Sequence, residues 1–357
     1  MSITRTAYFR FLGLPRELRD LCYEFYFEEE DGYVYVYEVG RLRTCKGDRI
    51  SLSLTLACRQ INVETEGLAF AVNKITFNAF HVQSVNAWIL RFGFAIDNLW
   101  QEKLKVLSEL RPFFTSAMAQ EAAKKYPQHR TFLRSLLSSH ATPQWNFETI
   151  GPSPSIMRDC IQYILGLLIN HPDLPQPVYR SIWKVVASVH EPWIIPNEKD
   201  ISSFYQSWKQ ALARFPRIGR NEPDSPRRKY TLSAASVCIH FMRTIPHRVF
   251  LQLRHITIQQ DFLSEGFPEC HARGLIELCQ TNPNLRIEHR VDVWTCILLD
   301  ADVPTDPQGE PNVYYLYAHK VSKALRSWLL EASAPPLLGM PENCFRLVLN
   351  GNLMPGK

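Results

Sequence analysis

"LRHITI" at residues 253–258 and "LRIEHRVDVW" at 285–294, with "CHARGLIELC" at 270–279 between them, decide the fold. In the second segment Ile287, His289, Val291 and Val293 alternate with Arg286, Glu288, Arg290 and Asp292, the period-two pattern of a half-buried strand. The first segment is a shorter version of the same pattern. Leu275, Ile276, Leu278 and Cys279 give the intervening stretch an apolar helical face. Strand, helix and strand within about forty residues read as a βαβ unit, which pairs its two strands in parallel.

Outward from this unit, a helix is expected over 232–244 before it, and a helix over 318–332 and a strand over 345–351 after it. Upstream, residues 81–215 read as consecutive helices over 82–92, 97–110, 115–126, 128–139, 155–170, 177–190 and 200–215, separated by proline-built breaks such as "HPDLPQP" and "EPWIIPNE". Residues 216–230, with Pro216, Pro223 and Pro226 among basic side chains, read as a linker. The amino-terminal segment opens on "FLGLPRELRDLCYEFYF" (11–27), where Leu14, Leu18, Leu21, Cys22, Phe25 and Tyr26 recur on one helical face and Pro15 suits the first turn. That face has two uses, closing the chain's own core or docking on another protein. Glu28 to Asp31 oppose the helix dipole and stop the helix before them. "YVYVYEV" (33–39) alternates as a strand in a hairpin-like excursion over 33–52. A long helix follows over about 54–72, and then a short strand, "KITFN" (74–78). The expected architecture is α+β and mainly helical: an amino-terminal module with a hairpin insertion (1–80), a helical middle (81–215), the linker (216–230) and a carboxy-terminal βαβ-containing recognition segment (231–357).

Composition narrows the class. A chain of 357 residues with 46% hydrophobic and 12% aromatic side chains buries enough surface to fold without disulfides or metals. Nine scattered cysteines, an odd number, fit free thiols in a reducing compartment. The first thirteen residues lack an apolar signal core, and "IQYILGLLI" (161–169) is too short to span a bilayer, so a cytoplasmic or nuclear protein without membrane association is expected. A net charge of +5 nominates no nucleic-acid partner.

Chemical motifs are sparse. Cys270, His271, Cys279 and His289 have donor chemistry for zinc, but their spacing is not that of paired metal ligands, and packed thiols are preferred. Ser181 and Lys184 form an isolated S-x-x-K without its companion motifs. No G-x-G, H-E-x-x-H or G-x-S-x-G occurs, so neither a cofactor nor catalysis is expected. "PRRK" (226–229) reads as solvated linker charge, and the tyrosines of "YVYVYEV" as a packed or partner-binding face.

"LPRELRDLCYEFYF" together with "LTLACRQINVETEGLAFAVNKITFNAF" (54–80) resembles the amino-terminal module of fungal F-box-like proteins: a leucine-proline start, a helix, an "L-CRQI-x-x-E" helix and an "F-x-x-N-x-x-x-F" close. "LRHITIQQDF" and the stretch from Cys270 to Trp294 resemble the tails of such proteins. The resemblance implies a substrate-recognition adaptor, not an enzyme, that docks on the Skp-family linker subunit of a cullin-RING ubiquitin ligase and holds a protein target. Docking would fall to Leu14, Pro15, Glu17, Leu18, Leu21 and Phe25, with Cys58, Arg59 and Ile61 from the second element. The charged strand face of Arg286, Glu288, Arg290 and Asp292, with nearby Trp294, is the candidate target-recognition ridge. The alternatives are an interaction scaffold that does not bind a Skp-family subunit, or a cryptic hydrolase or transferase.

Overall fold

A computed structural model describes residues 9–81, 86–138, 153–174, 186–187, 191–195, 197, 199, 231–264, 266–298 and 318–351. Helix α1 (Arg16–Phe27) leads to strand β1 (Tyr33–Val36), which turns back as β2 (Arg41–Thr44). Short helices α2 (Arg59–Glu64) and α3 (Leu68–Val72) precede β3 (Lys74–Asn78), and β4 (Phe80–His81) follows it. The helical middle contains α4 (Asn86–Leu110), α5 (Ser116–Lys125), α6 (Arg130–Leu137) and α7 (Pro154–Ile169). The chain continues through β5 (Thr231–Leu232), α8 (Ala234–Thr244), α9 (His247–Phe250), β6 (His255–Gln260), α10 (Ile276–Thr281), β7 (Arg286–Asp292), α11 (Ala318–Ala332), α12 (Ala334–Leu337) and β8 (Phe345–Asn350).

The chain is a mixed α/β protein. Six strands form one sheet in the order β2-β1-β3-β6-β7-β8, parallel except for the antiparallel β1–β2 hairpin. The strands of the βαβ unit, β6 and β7, are interior, and β1 and β3 extend the same sheet from the amino-terminal segment. Each parallel connection advances one strand in the same direction. With right-handed crossovers, such a progression lays every connecting segment on one face of the sheet. Burial follows that rule: Tyr33, Tyr35, Ile75, Phe77, Ile256, Ile258, Ile287, His289 and Val291 point inward, while Lys74, His255, Arg286, Arg290 and Arg346 point out. Parallel sheets are usually covered on both faces by apolar residues. Here the second face is polar, with Thr76, Thr257, Glu288 and Arg346 in one row across four strands.

α8 and the segment leading into α10 pack on the apolar face around Phe77, Phe241, Ile258 and Leu275. A separate core joins α4 to α7 through Leu107, Leu133, Ile161 and Leu165. A smaller one sets Trp328 of α11 against Val291. At roughly 1.5–3 kcal/mol for each large apolar side chain removed from water, these layers supply the main driving force for folding.

Several boundaries differ from the periodicity. The helix expected over 54–72 is broken into a 3-10 turn, α2 and α3: Cys58 is extended between the turn and α2, and Gly67, with a left-handed φ of 75°, separates α2 from α3. Conversely, the described part of the helix expected over 82–92 and that expected over 97–110 lie in one helix, α4 (Asn86–Leu110). β7 ends at Asp292, so Trp294 belongs to a π-helical turn over Val293–Leu298 and not to the strand. Ser181, Lys184, the linker 216–230 and the helix expected over 200–215 lie outside the described residues.

Candidate functional site

The first helix is oriented opposite to the usual amphipathic rule. Its buried side chains are Arg19, Tyr23 and Phe27, a stripe at four-residue spacing, whereas the face rich in leucine and phenylalanine points to solvent. Leu18 is 48% exposed, Leu21 50% and Phe25 77%, beside exposed Cys22 and Tyr26. Neighbouring segments do the same: Leu56 is 82% exposed and Val63 of α2 66%.

Polar chemistry from α2 fixes this orientation. Arg19 Nε and Nη2 donate to the two carboxylate oxygens of Glu64 at 3.0 and 2.6 Å, and the Tyr23 hydroxyl donates to Glu64 Oε2 at 2.7 Å. Arg19 Nη1 also donates to the Leu14 carbonyl at 2.6 Å, clamping the Leu14-Pro15 entry to the helix. Gln60 adds a hydrogen bond to Glu64 at 2.9 Å. The Arg19 hydrogen bonds, joined by that of Gln60, pull the Glu64 carboxyl down to about 2. Burial pushes the Tyr23 hydroxyl up. At the far end, Phe27 packs with Tyr33 and Ala69. Asn73, 2% exposed, donates to the carbonyls of Phe27 and Ala69 at 2.6 and 2.8 Å and accepts from the Glu29 amide at 2.8 Å. The polar and aromatic positions of the quoted motifs, Arg19, Glu64, Asn73 and Phe77, are therefore internal fasteners. Their roles escape a reading by hydropathy, although the 19-23-27 spacing carries the signal.

Of the residues assigned to linker docking, Pro15, Glu17, Leu18, Leu21, Phe25, Cys58 and Arg59 are exposed and Leu14 is half-buried. Ile61 differs: it is buried within its own chain.

On the candidate recognition ridge, Arg286 and Arg290 are exposed and share the polar sheet face with half-buried Glu288. The Glu288 carboxylate is engaged internally, accepting from Arg290 Nε and from Arg346 Nη2 on the neighbouring strand. Asp292 is not on the surface. It is buried and accepts from the Thr295 amide and hydroxyl at 2.8 and 2.9 Å, fixing the turn that follows β7. Trp294 is 46% exposed, and its indole N–H donates to the Gly351 carbonyl at 3.1 Å.

The donor cluster considered for zinc is dispersed into the core. One ring nitrogen of His271 meets Ser233 Oγ at 2.6 Å and Ser236 Oγ at 3.1 Å, and the other meets the Gly266 carbonyl at 2.7 Å. Cys270 and Cys279 are buried, and burial pushes the Cys279 thiol up to about 12. Among the described residues no group of three or more His, Cys, Asp or Glu side chains is placed to hold a metal, and no helix is long and apolar enough to cross a membrane. Tyr33 and Tyr35 are packed inside.

These features define a mixed α/β protein that presents an apolar helix face to solvent. Comparison of the chain with protein-family profiles, curated proteins and solved structures returns no match.

Proposed function

We propose that this protein is a protein-recognition adaptor whose first helix docks on a Skp-family linker subunit of a cullin-RING ubiquitin ligase. The observation that carries the reading is the outward face of Leu18, Leu21 and Phe25 on a helix whose Arg19 and Tyr23 are anchored inside. Exposed side chains of this size on adjacent turns are the composition of a docking surface. Each gains roughly 1.5–3 kcal/mol if fully buried by a partner, against the cost of association. The resemblance of "LPRELR" and "CRQINVE" to F-box-like modules supplies the identity of the partner. The polar sheet face around Arg286 and Arg290 is then the surface offered to a protein target.

Co-purification of the full chain with a Skp-family subunit, in wild type and in a Leu18→Asp/Phe25→Asp double variant, tests this. The wild type is expected to retain the subunit and the variant to lose it with an unchanged melting temperature. A wild type that does not bind the subunit overturns the reading, as does a variant that binds as well as wild type.

A further inference from the structure

A second feature lies away from the docking face. Between α4, α7, residues 191–193 and the segment 267–273 is a cavity of about 320 Å³. That is about twice the volume of an engineered cavity of ~150 Å³ that accepts benzene. Ile96, Leu99, Trp193 and Phe267 give it apolar and aromatic walls, and Lys103, Arg158 and Arg273 bring three cationic side chains to it.

The two arginines are incompletely matched by acceptors. Arg158 lies over the Phe267 ring, 4.2 Å from its centroid, and its Nη2 is buried without a hydrogen-bond acceptor. Glu331 Oε1 lies 4.0 Å from it but is already engaged by the Ser155 amide, and the Ser155 hydroxyl donates to Glu331 Oε2, at 2.5 and 2.6 Å; Cys270 and Glu269 also act on this guanidinium. Arg273 donates from Nη2 to Asp159 at 2.6 Å, while its Nε is buried without an acceptor beside Trp193. Gln162 donates to the Val186 carbonyl at 2.8 Å, leaving Oε1 buried without a donor. Buried polar groups are normally paired, so unmet guanidinium donors together with an unmet amide acceptor at one cavity describe the complement of a ligand. Phe267 holds a left-handed φ of 62°, a conformation that non-glycine residues adopt rarely and that concentrates at functional sites.

We propose that this cavity binds a small organic carboxylate with a planar apolar body and one hydrogen-bond donor. The carboxylate supplies the acceptor missing at Arg158 and Arg273, whose planar forks match its two oxygens. The body lies among the aromatic and aliphatic walls, and the ligand's donor faces Gln162. Asp159 and Glu191, which also line the cavity, disfavour a doubly charged head, so a carboxylate fits better than a phosphate.

Calorimetric titration of the full chain with benzoate, phenylacetate and naphthoate, each beside its primary amide, and with acetate and inorganic phosphate, tests the proposal. At least one aromatic carboxylate is expected to bind with a dissociation constant below about 1 mM and about tenfold more tightly than its amide, acetate or phosphate. Arg158→Lys and Arg273→Lys, which keep the charge but lose the fork, are expected to weaken it about tenfold. Should those variants fail to fold, the acid-to-amide ratio in the wild type decides. The proposal is overturned by no carboxylate binding up to about 5 mM, by equal affinity for acid and amide, by tighter binding of phosphate, or by undiminished affinity in folded variants.

Discussion

Arg19 of α1 grips both carboxylate oxygens of Glu64 on α2, at 3.0 and 2.6 Å, across 45 residues of sequence. This pair turns the polar stripe of the first helix inward and its apolar stripe outward. The Glu64 carboxyl is held at about 2, so the unfolded chain takes up a proton near the ordinary carboxylate value of about 4.3 while the folded chain does not. The stability from this pair is complete above that value and is lost as pH falls from about 4.3 to about 2. A Glu64→Gln variant is expected to melt several degrees below wild type at neutral pH, with the gap closing across that window. Melting curves against pH check this, and parallel curves for the two proteins would refute it.

Phe25 and Phe27 are two positions apart on one helix and 77% and 2% exposed. Phe27→Ala is expected to cost about 3–5 kcal/mol because it empties a packed site beside Tyr33 and Ala69. Phe25→Ala should change stability by no more than about 0.5 kcal/mol. Urea titrations of both variants provide the comparison, and a large loss at Phe25 would mean that this face is covered in the isolated protein.

Gly32 and Gly47 both adopt positive φ, 70° and 89°. A Cβ at Gly32 would lie 2.2 Å from the Lys74 carbonyl oxygen, on the strand paired with β1, whereas one at Gly47 would meet nothing within 4 Å. Gly47→Ala should therefore carry only the left-handed penalty of about 1–2 kcal/mol, and Gly32→Ala distinctly more. Equal losses in chemical denaturation would contradict the close approach of β1 to β3.

His271 is buried and neutral. Burial holds it down at about 4, and burial holds His289 down at about 3. An unfolded histidine protonates near 6.5, so stability is complete above that pH and falls as pH drops through 6 towards 4. For His271 the loss at the bottom of the window is on the order of 3 kcal/mol. His271→Asn is expected to flatten the dependence between pH 6.5 and about 4, a window above that of Glu64. An unchanged slope by denaturant titration at stepped pH would show that His271 takes up its proton in the folded state.

The strands expected over 253–258 and 285–294 were legible as elements, though not in their ends (His255–Gln260 and Arg286–Asp292), because period-two alternation is local and strong, and the structure pairs them in parallel, Ile256 beside Ile287. α5, α6, α7, α8 and α11 were legible to within two residues at each end for the same reason. Periodicity says which residues of a helix share a face but not which face meets the core. For α1 the apolar stripe was read correctly as a stripe, and its direction was open.

The sequence by itself determined the main elements, a βαβ unit and the residues of the first helix that form one apolar face. Only the tertiary structure decided that β1 and β3 extend the central sheet, that Asp292 is buried and Arg286 is not, and that Arg158 and Arg273 share a cavity. Above all it decided that Leu18, Leu21 and Phe25 point to water. The physical reason is that local periodicity depends on side chains within a few turns, whereas burial depends on partners brought from far along the chain. For the first helix, those partners are the carboxylate of Glu64 and the amide of Asn73.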